Sequence, residues 1–302
     1  MNNTLVILLG PTGTGKTDLS IDVALHLKTE IISCDSRQFY REMSIGTAVP
    51  TEEQLVKVKH HFIKNISITD YYSASRFEKE FISLSSKLFA HYNILLMVGG
   101  SGLYIDAACG KMDHIPDVDP SVREKYLNKF LTEGLESIRA DLRLIDPDYY
   151  SIVDLKNHKR IIRALEISET TGKPYSGFLQ KRGTPRDFNI LKIGLNMDRY
   201  ELYRRIDKRV DRMIDEGLEK EAADLLKYRS YNALNTVGYQ ELFRYFDGEI
   251  SREKAVDLIK RNSRRYAKRQ ITWWARDEEI KWFHPEEKKE ITRYIDEALA
   301  KG

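Results

Sequence analysis

The residues whose types and spacing most clearly specify chemistry lie close to the start of the chain. The stretch Gly10-Pro-Thr-Gly-Thr-Gly-Lys-Thr17 fits the pattern G-x-x-x-x-G-K-[ST] at every position. In such a loop the glycines let backbone N–H groups turn toward an anion, and the lysine adds a point charge for the terminal phosphates. The Thr17 hydroxyl is placed to bind Mg²⁺. The pattern predicts a di- or triphosphate site made of Gly10, Pro11, Thr12, Gly13, Thr14, Gly15, Lys16 and Thr17.

A phosphate loop of this kind needs a strand before it and a helix after it. The apolar run Leu5-Val-Ile-Leu-Leu9 directly precedes the loop and predicts a buried parallel strand. Behind the loop, apolar residues at Leu19, Val23, Ala24 and Leu27 recur at helical spacing. The amino terminus of that helix would add a favourable field for an anion.

One carboxylate, Asp35, follows the second apolar run, Glu30-Ile-Ile-Ser-Cys34. It is therefore expected at the carboxyl end of a strand beside the loop, where doubly wound sheets bind their ligands. An acid there can ligate Mg²⁺, act as a general base or cap the next turn, and the pattern leaves all three roles open. The sequence has no [NT]-K-x-D tetrapeptide, which argues against a GTPase. The third apolar run ends in Gly99-Gly100 instead of the acids expected of an ATPase motor.

The remaining pattern predicts an α/β fold: a P-loop NTPase-like parallel sheet core with a helical insertion domain and C-terminal helices. Further strands are expected at 93–98 and 189–195, irregular segments at 46–50 and 60–63, and only helices beyond Asp198. Residues 1–112 form the first part of the core, 113–187 the insertion, and 188–302 the last strand with the basic helices. Helices are expected at 73–91, 121–132, 158–171, 200–216, 218–228, 237–246 and from 252 onward.

Composition limits the classes of protein to which this chain can belong. Its 302 residues are 41% hydrophobic and 31% charged, which is typical of a soluble protein with a substantial core. No signal peptide is evident, and no stretch approaches the roughly 20 apolar residues of a membrane helix. The two cysteines, Cys34 and Cys109, have no metal-type spacing. We therefore expect a cytoplasmic protein with reduced thiols and no membrane partner.

Positive charge is concentrated in one segment, although the net charge is only +3. Between residues 252 and 276 the chain has nine Lys or Arg residues and two acids. On a helix, this concentration is either the footprint of a polyanionic partner or a solvated face, and the charges alone leave both open. The nine cations are Arg252, Lys254, Lys260, Arg261, Arg264, Arg265, Lys268, Arg269 and Arg276.

Further motifs resemble one enzyme family. Asp35-Ser-Arg-Gln-Phe-Tyr40 is similar to the D-S-x-Q-x-Y block of the tRNA dimethylallyltransferases, and Ala267-Lys-Arg-Gln-Ile-Thr-Trp273 to their A-K-R-Q-x-T-W block. The matches span nearly the whole chain and resemble a bacterial-type member. The other blocks, in the family's order, are Gly46-Thr-Ala-Val-Pro50, His60-His-Phe-Ile63, Gly99-Gly-Ser-Gly-Leu-Tyr-Ile105, Arg160-Ile-Ile-Arg-Ala-Leu-Glu166 and Val237-Gly-Tyr-Gln-Glu241.

The resemblance implies transfer of a dimethylallyl group from dimethylallyl diphosphate to the exocyclic amine of the adenosine 3′ of the tRNA anticodon. The phosphate loop would hold the diphosphate together with Mg²⁺, which Thr17 would ligate. The resemblance assigns catalysis to Asp35, Ser101 and Arg205. Asp35 would take the proton of the amine, Ser101 would offer a hydroxyl to the substrate or the diphosphate, and Arg205 would clamp the diphosphate. For Arg205, an ion pair with an acid such as Glu201 is the alternative.

The resemblance also implies a partner, the anticodon stem-loop of tRNA, bound by a monomeric chain that flips the target base out of its stack. The insertion domain and the basic helices would bind this RNA. The residues expected to contact it are Asp35, Ser36, Arg37, Gln38, Ser101, Arg123, Lys159, Arg160, Ile161, Ile162, Arg163, Asn235, Gly238, Gln240, Lys268, Arg269 and Gln270.

Three other functions remain as alternatives. A small-molecule P-loop kinase would bind ATP and would have no affinity for RNA. An adenylate isopentenyltransferase would use a free adenine nucleotide as acceptor and would not need the basic helices. An RNA-binding protein with an unused phosphate loop would function without Lys16 and Asp35. The basic segment and the D-S-x-Q-x-Y block favour the tRNA-modifying enzyme.

Overall fold

The computed structural model describes residues 3–113, 115–116, 118–179 and 183–301. The chain forms two compact units. The first consists of Met1–Cys109 and Arg186–Gly302, and the second of Gly110–Pro185. The second unit is thus an insertion into the first, which contains all the strands in the described part of the chain.

The first unit is built on a six-stranded parallel sheet with the order β3-β2-β4-β1-β5-β6. Every residue of the central strand β1 is buried; β4 and β5 pair with it on either side, and residues of α1 and α13 pack against its Val6 and Leu8. This confirms the predicted α/β class with a parallel core. The strands are β1 (Thr4–Leu9), β2 (Ile31–Ser33), β3 (His60–His61), β4 (Ile94–Gly99), β5 (Asn189–Leu195) and β6 (Ile280–Phe283).

The two edge strands, β3 and β6, correct the sequence analysis. β3 lies in a segment expected to be irregular, and it pairs with β2 at Ile31↔His60. β6 lies in the region expected to contain only helices, and it pairs with β5. Both are short, and β3 consists of two polar residues, so neither gives the apolar run on which the prediction of a strand depends.

The helices are α1 (Lys16–Leu27), α2 (Glu52–Lys57), α3 (Ala74–Phe89), α4 (Gly102–Ala108), α5 (Pro120–Glu133), α6 (Leu135–Ile145), α7 (Pro147–Ile152), α8 (His158–Thr171), α9 (Arg199–Asp215), α10 (Leu218–Leu225), α11 (Tyr239–Phe246), α12 (Arg252–Trp274) and α13 (Lys288–Lys301). Helices α5 to α8 belong to the second unit and the others to the first. Short 3-10 helices follow α8 at Tyr175–Phe178 and α10 at Leu226–Tyr228 and Asn232–Leu234.

The second unit has an apolar core of its own. Ile138 and Leu142 on α6 and Ile161 and Leu165 on α8 are fully buried in it. Buried Asp146 caps α7 by accepting the Tyr149 N–H at 3.0 Å. These contacts let the insertion form a compact body of helices with its own hydrophobic cluster.

An aromatic cluster supports the segment that follows β2. Phe39 is fully buried, with ring centroids 5.7 Å from Phe77, 5.5 Å from Tyr104 and 5.1 Å from Tyr72. Aromatic packing of this kind fixes the backbone more firmly than an exposed turn would. The polar residues just before Phe39, beginning at Asp35, therefore lie on a supported loop at the carboxyl edge of the sheet.

Candidate active site

The phosphate loop lies between β1 and α1, as predicted. Gly13 (φ 91°) and Gly15 (φ 82°) adopt the left-handed backbone that glycine takes without strain. A Cβ on Gly13 would lie 2.8 Å from Cγ1 of Ile206 on α9, so this glycine also permits close packing. The buried Thr14 hydroxyl donates to the Pro11 carbonyl at 2.9 Å and closes the loop on itself.

Lys16 is held against its own loop. Its Nζ donates to the carbonyls of Gly10 at 2.8 Å and Pro11 at 2.9 Å. Burial disfavours the charged ammonium and lowers the pKa of Lys16 to about 8, while nearby Asp35 acts in the opposite direction. The lysine is thus a partly buried cation with a carboxylate nearby, an environment that an incoming phosphate would complete.

Asp35 lies at the end of β2, beside the loop. Its Oδ1 accepts the backbone N–H of Arg37 at 3.0 Å, so the capping interaction considered for this residue is present. A carboxylate has a second oxygen and several lone pairs, so a cap leaves it able to accept a further proton or bind a cation. The aromatic packing around Phe39 supports the loop that carries this carboxylate.

Helix α9 brings an arginine to the loop, and it is Arg209 rather than Arg205. The Nη1 of Arg209 donates to the Thr12 hydroxyl at 3.2 Å. Burial lowers the pKa of Arg209, and Asp35 partly counteracts this effect. Arg205 instead forms ion pairs with Glu201 at 2.8 Å and Glu286 at 3.4 Å. The ion-pair alternative for Arg205 is therefore correct, and its expected position at the phosphate site is wrong.

Ser101 lies on the second glycine turn, between β4 and α4. Its hydroxyl accepts the backbone N–H of Ser36 at 3.0 Å and donates to the Ser36 hydroxyl at 3.1 Å. Tyr266 on α12 lies close to Ser101, and burial raises the pKa of Tyr266 to about 12. Ser101 therefore links the glycine turn, the Asp35 loop and α12.

A loop after the Asp35 segment is anchored by one carboxylate. Glu221 on α10 accepts the backbone N–H groups of Ser44, Ile45 and Gly46 at 2.8–2.9 Å. The Tyr239 hydroxyl donates to the same carboxylate at 2.6 Å. Carbonyls of the next two residues of this loop accept the Gln38 amide, at 3.3 Å for Thr47 and 3.0 Å for Ala48. Glu221 thus fixes the loop that orients Gln38.

These segments enclose one large cavity of about 620 Å³. Its polar part includes Lys16, Asp35 and Arg209, and α9 contributes an apolar wall with Ile206 and Val210. An adjoining recess of about 40 Å³ is also lined by Lys16, Thr17, Asp35 and Gln38. A cavity with phosphate-binding groups beside an apolar wall suits a ligand with a charged head and a short apolar tail.

Within the described ranges, no group of three or more His, Cys, Asp or Glu side chains could hold a metal ion. Thr17 and Asp35, whose side chains carry oxygen atoms, nevertheless line the same cavity. Mg²⁺ prefers such ligands and usually needs only one or two of them beside substrate phosphates and water.

None of the helices in the described part of the chain is long and apolar enough to cross a membrane.

A family model described as IPP transferase matches residues 38–277. The chain belongs to this family. It is 52% identical over 296 residues to tRNA dimethylallyltransferase 1 of Bacteroides fragilis, covering 98% of each chain. It is 53% identical over 288 residues to tRNA dimethylallyltransferase 1 of Porphyromonas gingivalis, covering 95% of this chain and 96% of the relative.

Solved structures of family members have the same fold. A tRNA isopentenylpyrophosphate transferase from Bacillus halodurans is 35% identical, with a TM-score of 0.73 and coverage of 99% of this chain and 97% of that one. A eukaryotic dimethylallyltransferase acting on tRNA is 26% identical, with a TM-score of 0.77 and coverage of 94% and 74%. The resemblance found in the motifs is therefore confirmed for both sequence and fold.

The structure brings many of the predicted site residues to the cavity and leaves others elsewhere. Ser101, Arg205 and Lys268 are not among its lining residues, nor are the loop residues Gly10, Pro11 and Thr14. The predicted residues that line it are Thr12, Gly13, Gly15, Lys16, Thr17, Asp35, Ser36, Arg37, Gln38, Asn235, Gly238, Gln240, Arg269 and Gln270. Lining residues that the sequence analysis missed include Arg209, Asn262, Ser263 and Tyr266.

In the second unit, two of the residues expected to contact RNA are core residues. Ile161 is fully buried and Ile162 is 4% exposed, so their side chains are not available to RNA. Arg163 forms an ion pair at 2.6 Å with the buried carboxylate of Glu166, and Arg123 lies 3.6 Å from the same residue. Lys159 and Arg160 are exposed on the first turn of α8.

Six of the eight cations of α12 fall into two groups of three. Arg252, Lys260 and Arg264 form ion pairs with acids of α9 and α10, at distances of 2.5–2.6 Å. Arg265 and Arg269 line the cavity, and exposed Lys268 lies on the same helix. We refer to Arg265, Lys268 and Arg269 as the α12 basic group. The structure thus assigns part of the positive segment to internal ion pairs and leaves the α12 basic group on the exposed or cavity-lining side.

Proposed function

We propose that this protein transfers the dimethylallyl group of dimethylallyl diphosphate to the exocyclic amine of the adenosine 3′ of the anticodon in tRNA. One observation supports it above all. The phosphate loop, an acid and a partly buried arginine line one cavity of about 620 Å³, in a chain that belongs to the IPP transferase family. The relatives with about half of their residues identical are named tRNA dimethylallyltransferases.

The phosphate loop would bind the diphosphate, and the apolar wall of α9 would receive the five-carbon tail. Lys16 and Arg209 would stabilise the negative charge that develops on the leaving diphosphate. Arg209 takes the role that the sequence analysis gave to Arg205. Mg²⁺, held by Thr17, would supply additional positive charge beside the phosphates.

Asp35 would act as the general base. The amine nitrogen of adenine forms a bond to C1 of the dimethylallyl group while the bond from C1 to the diphosphate oxygen breaks. The diphosphate leaves with the electron pair, and the proton of the amine passes to Asp35. General-base assistance of this kind contributes roughly 10²- to 10⁴-fold. Ser101, which is hydrogen-bonded to Ser36, would hold the loop that carries this acid.

The RNA would bind over the cavity through the α12 basic group. Arg269 also lies over the Tyr266 ring at 5.6 Å, a pairing of cation and aromatic ring that suits unstacked bases. Asn235, Gly238 and Gln240 line the same cavity and would approach the flipped adenosine. A cytoplasmic location and a monomeric state remain predictions.

The test is a transfer assay with labelled dimethylallyl diphosphate. Three acceptors are compared: an anticodon stem-loop with adenosine 3′ of the anticodon, the same stem-loop with guanosine there, and AMP. We expect label only in the first. Label in AMP would identify an adenylate isopentenyltransferase, and consumption of ATP without RNA binding would identify a kinase. Absence of transfer to any acceptor would contradict the proposal.

A further inference from the structure

Gln270 on α12 connects the two glycine turns of the site. It is only 7% exposed, and both ends of its amide have backbone partners. The Oε1 atom accepts the N–H of Thr12 in the phosphate loop at 2.9 Å. The Nε2 atom donates to the carbonyl of Gly100 in the second turn at 2.7 Å. One planar group thus bridges two loops that are far apart in the sequence.

The two loops carry different parts of the chemistry. The first carries Lys16, and the second carries Ser101, whose hydroxyl is bonded to the loop of Asp35. Their strands, β1 and β4, are neighbours that pair from Thr4↔Ile94 to Leu9↔Gly99. The sheet therefore aligns the ends of the strands, and the Gln270 amide holds the turns beyond those ends. An amide suits this bridge because it offers a donor and an acceptor on one rigid plane.

Gly100 has the close approach that this bridge requires. A Cβ at this position would lie 2.4 Å from Nε2 of Gln270, closer than such atoms can come. Gly100 is not among the glycines with positive φ, so its backbone conformation is open to other residues. The space taken by the Gln270 amide is therefore the reason for a glycine here.

We infer that Gln270 is a positioning residue for the transfer reaction: it sets the spacing between the phosphate loop and the turn that carries Ser101. The inference rests on the proposed function and departs from the expectation that Gln270 contacts RNA. It also removes the Thr12 N–H from the groups available to the diphosphate, because that donor is already occupied. The later amides of the loop would then form the anion cradle.

The first test uses Gln270→Met, which keeps the side-chain length and removes both hydrogen bonds. Asp257→Ala, an exposed change on the same helix, is the matched control. We expect kcat/KM for dimethylallyl diphosphate to fall by about 10-fold or more, since a partly buried donor and a buried acceptor lose their partners. The stem-loop Kd, measured by filter binding, should stay within about 2-fold of the wild-type value, since no RNA contact is lost.

The second test is a double-mutant cycle with Gly100→Ala. In the wild-type background the new methyl group displaces the Gln270 amide, so Gly100→Ala should impair transfer as Gln270→Met does. In a Gln270→Ala background the space is open, and Gly100→Ala should add less than about 2-fold to the loss. Equal effects of Gly100→Ala in both backgrounds would show that the bridge does not explain this glycine, and would overturn the inference.

The remaining outcomes distinguish a positioning role of Gln270 from an RNA contact and from a purely structural role. Loss of stem-loop affinity with unchanged kinetics for the diphosphate substrate would show that Gln270 contacts RNA. A lower Tm with wild-type kinetics in the folded protein would make Gln270 a purely structural residue. If Gln270→Met does not fold, the kinetics of Gly100→Ala decide whether Gln270 positions the two turns for transfer. Wild-type protein is assayed in parallel, so a failure of the proposed function itself appears as absence of transfer in that control.

Discussion

Replacing Arg209 and Arg205 in turn by methionine tests which of these two arginines of α9 binds the diphosphate. Arg209 donates to the Thr12 hydroxyl and lines the cavity, whereas Arg205, one turn earlier on α9, is ion-paired with Glu201. Methionine keeps much of the unbranched side chain and removes the guanidinium. Arg209→Met and Arg205→Met are therefore matched changes of the same chemistry on the same helix.

The structure predicts the effect of Arg209→Met on diphosphate affinity and on thermal stability. A hydrogen bond between charged groups contributes about 1.5–3 kcal/mol, so loss of the Arg209 contact should weaken diphosphate binding by roughly 10- to 150-fold. The thermal stability of the substrate-free protein, in contrast, should not fall. Burial lowers the pKa of Arg209, which means that folding disfavours its charge, and in the described chain no carboxylate forms an ion pair with it. The Tm of the substrate-free Arg209→Met variant should therefore equal or exceed that of the wild type.

The assay combines calorimetric titration with inorganic diphosphate and thermal unfolding of the substrate-free protein. For Arg205→Met we expect diphosphate affinity within about 2-fold of wild type, because Arg205 does not line the cavity. Equal losses of affinity in the two variants, or a larger loss in Arg205→Met, would refute the assignment of Arg209. A marked fall in the Tm of Arg209→Met would show that this arginine supports the fold instead.

Four further changes test the remaining parts of the site. Lys16→Ala should abolish diphosphate binding in calorimetry while stem-loop affinity survives; equal loss of both would mean that the loop supports the fold. Asp35→Asn should slow single-turnover transfer by at least ~10²-fold, or ~2.7 kcal/mol, with diphosphate affinity retained; rescue by excess Mg²⁺ would indicate a metal ligand instead. Neutralising the α12 basic group with glutamine should flatten the slope of log Kd against log salt by about 0.7–0.9 per phosphate contact; Arg264→Gln, whose partner is Asp207, is the control and should leave the slope unchanged. Glu221→Gln should lower the free energy of unfolding by about 1–3 kcal/mol, because an amide cannot accept all four hydrogen bonds; unchanged denaturant unfolding would exclude this anchor.

Elements with strong local signals were predictable from the sequence. The predicted helix at residues 158–171 has the bounds of α8, because Asn157 caps its start and Gly172 (φ 66°) ends it. The predicted strand at 189–195 is β5, whose apolar residues are bounded by polar segments. The phosphate loop was predictable for a similar reason, since its glycines, its lysine and its flanking elements are close together in the chain.

The position of Arg209 follows from the helical geometry of α9 and not from the family motifs. Leu202, Ile206, Val210 and Met213 form the buried stripe of α9. At about 100° per residue, Arg209 lies about 55° from the centre of that stripe, whereas Arg205 lies about 95° from it. The residue nearer the stripe is the one that reaches the cavity. The apolar spacing on α9 thus contained a signal favouring Arg209.

Contacts between distant segments were not predictable, because no local pattern specifies them. Arg37 was expected to contact RNA, yet its guanidinium donates to the carbonyls of Asn232 at 3.0 Å and Ala233 at 3.2 Å. Its neighbour Gln38 likewise donates to carbonyls of another loop. The motif identifies these residues as belonging to the site, and only the structure shows that their polar groups already have backbone partners.

The same contacts explain how a site made largely of loops can be ready for its substrates. Arg37 ties the Asp35 loop to the 232–235 segment, Glu221 holds the loop that orients Gln38, and Gln270 joins the two glycine turns. Each of these side chains satisfies backbone groups that water would otherwise have to solvate. Loops joined in this way lose little conformational freedom when a ligand binds, so more of the binding energy is available to stabilise charge on the leaving diphosphate. The transfer chemistry therefore depends on the residues that join the loops as well as on Lys16 and Asp35.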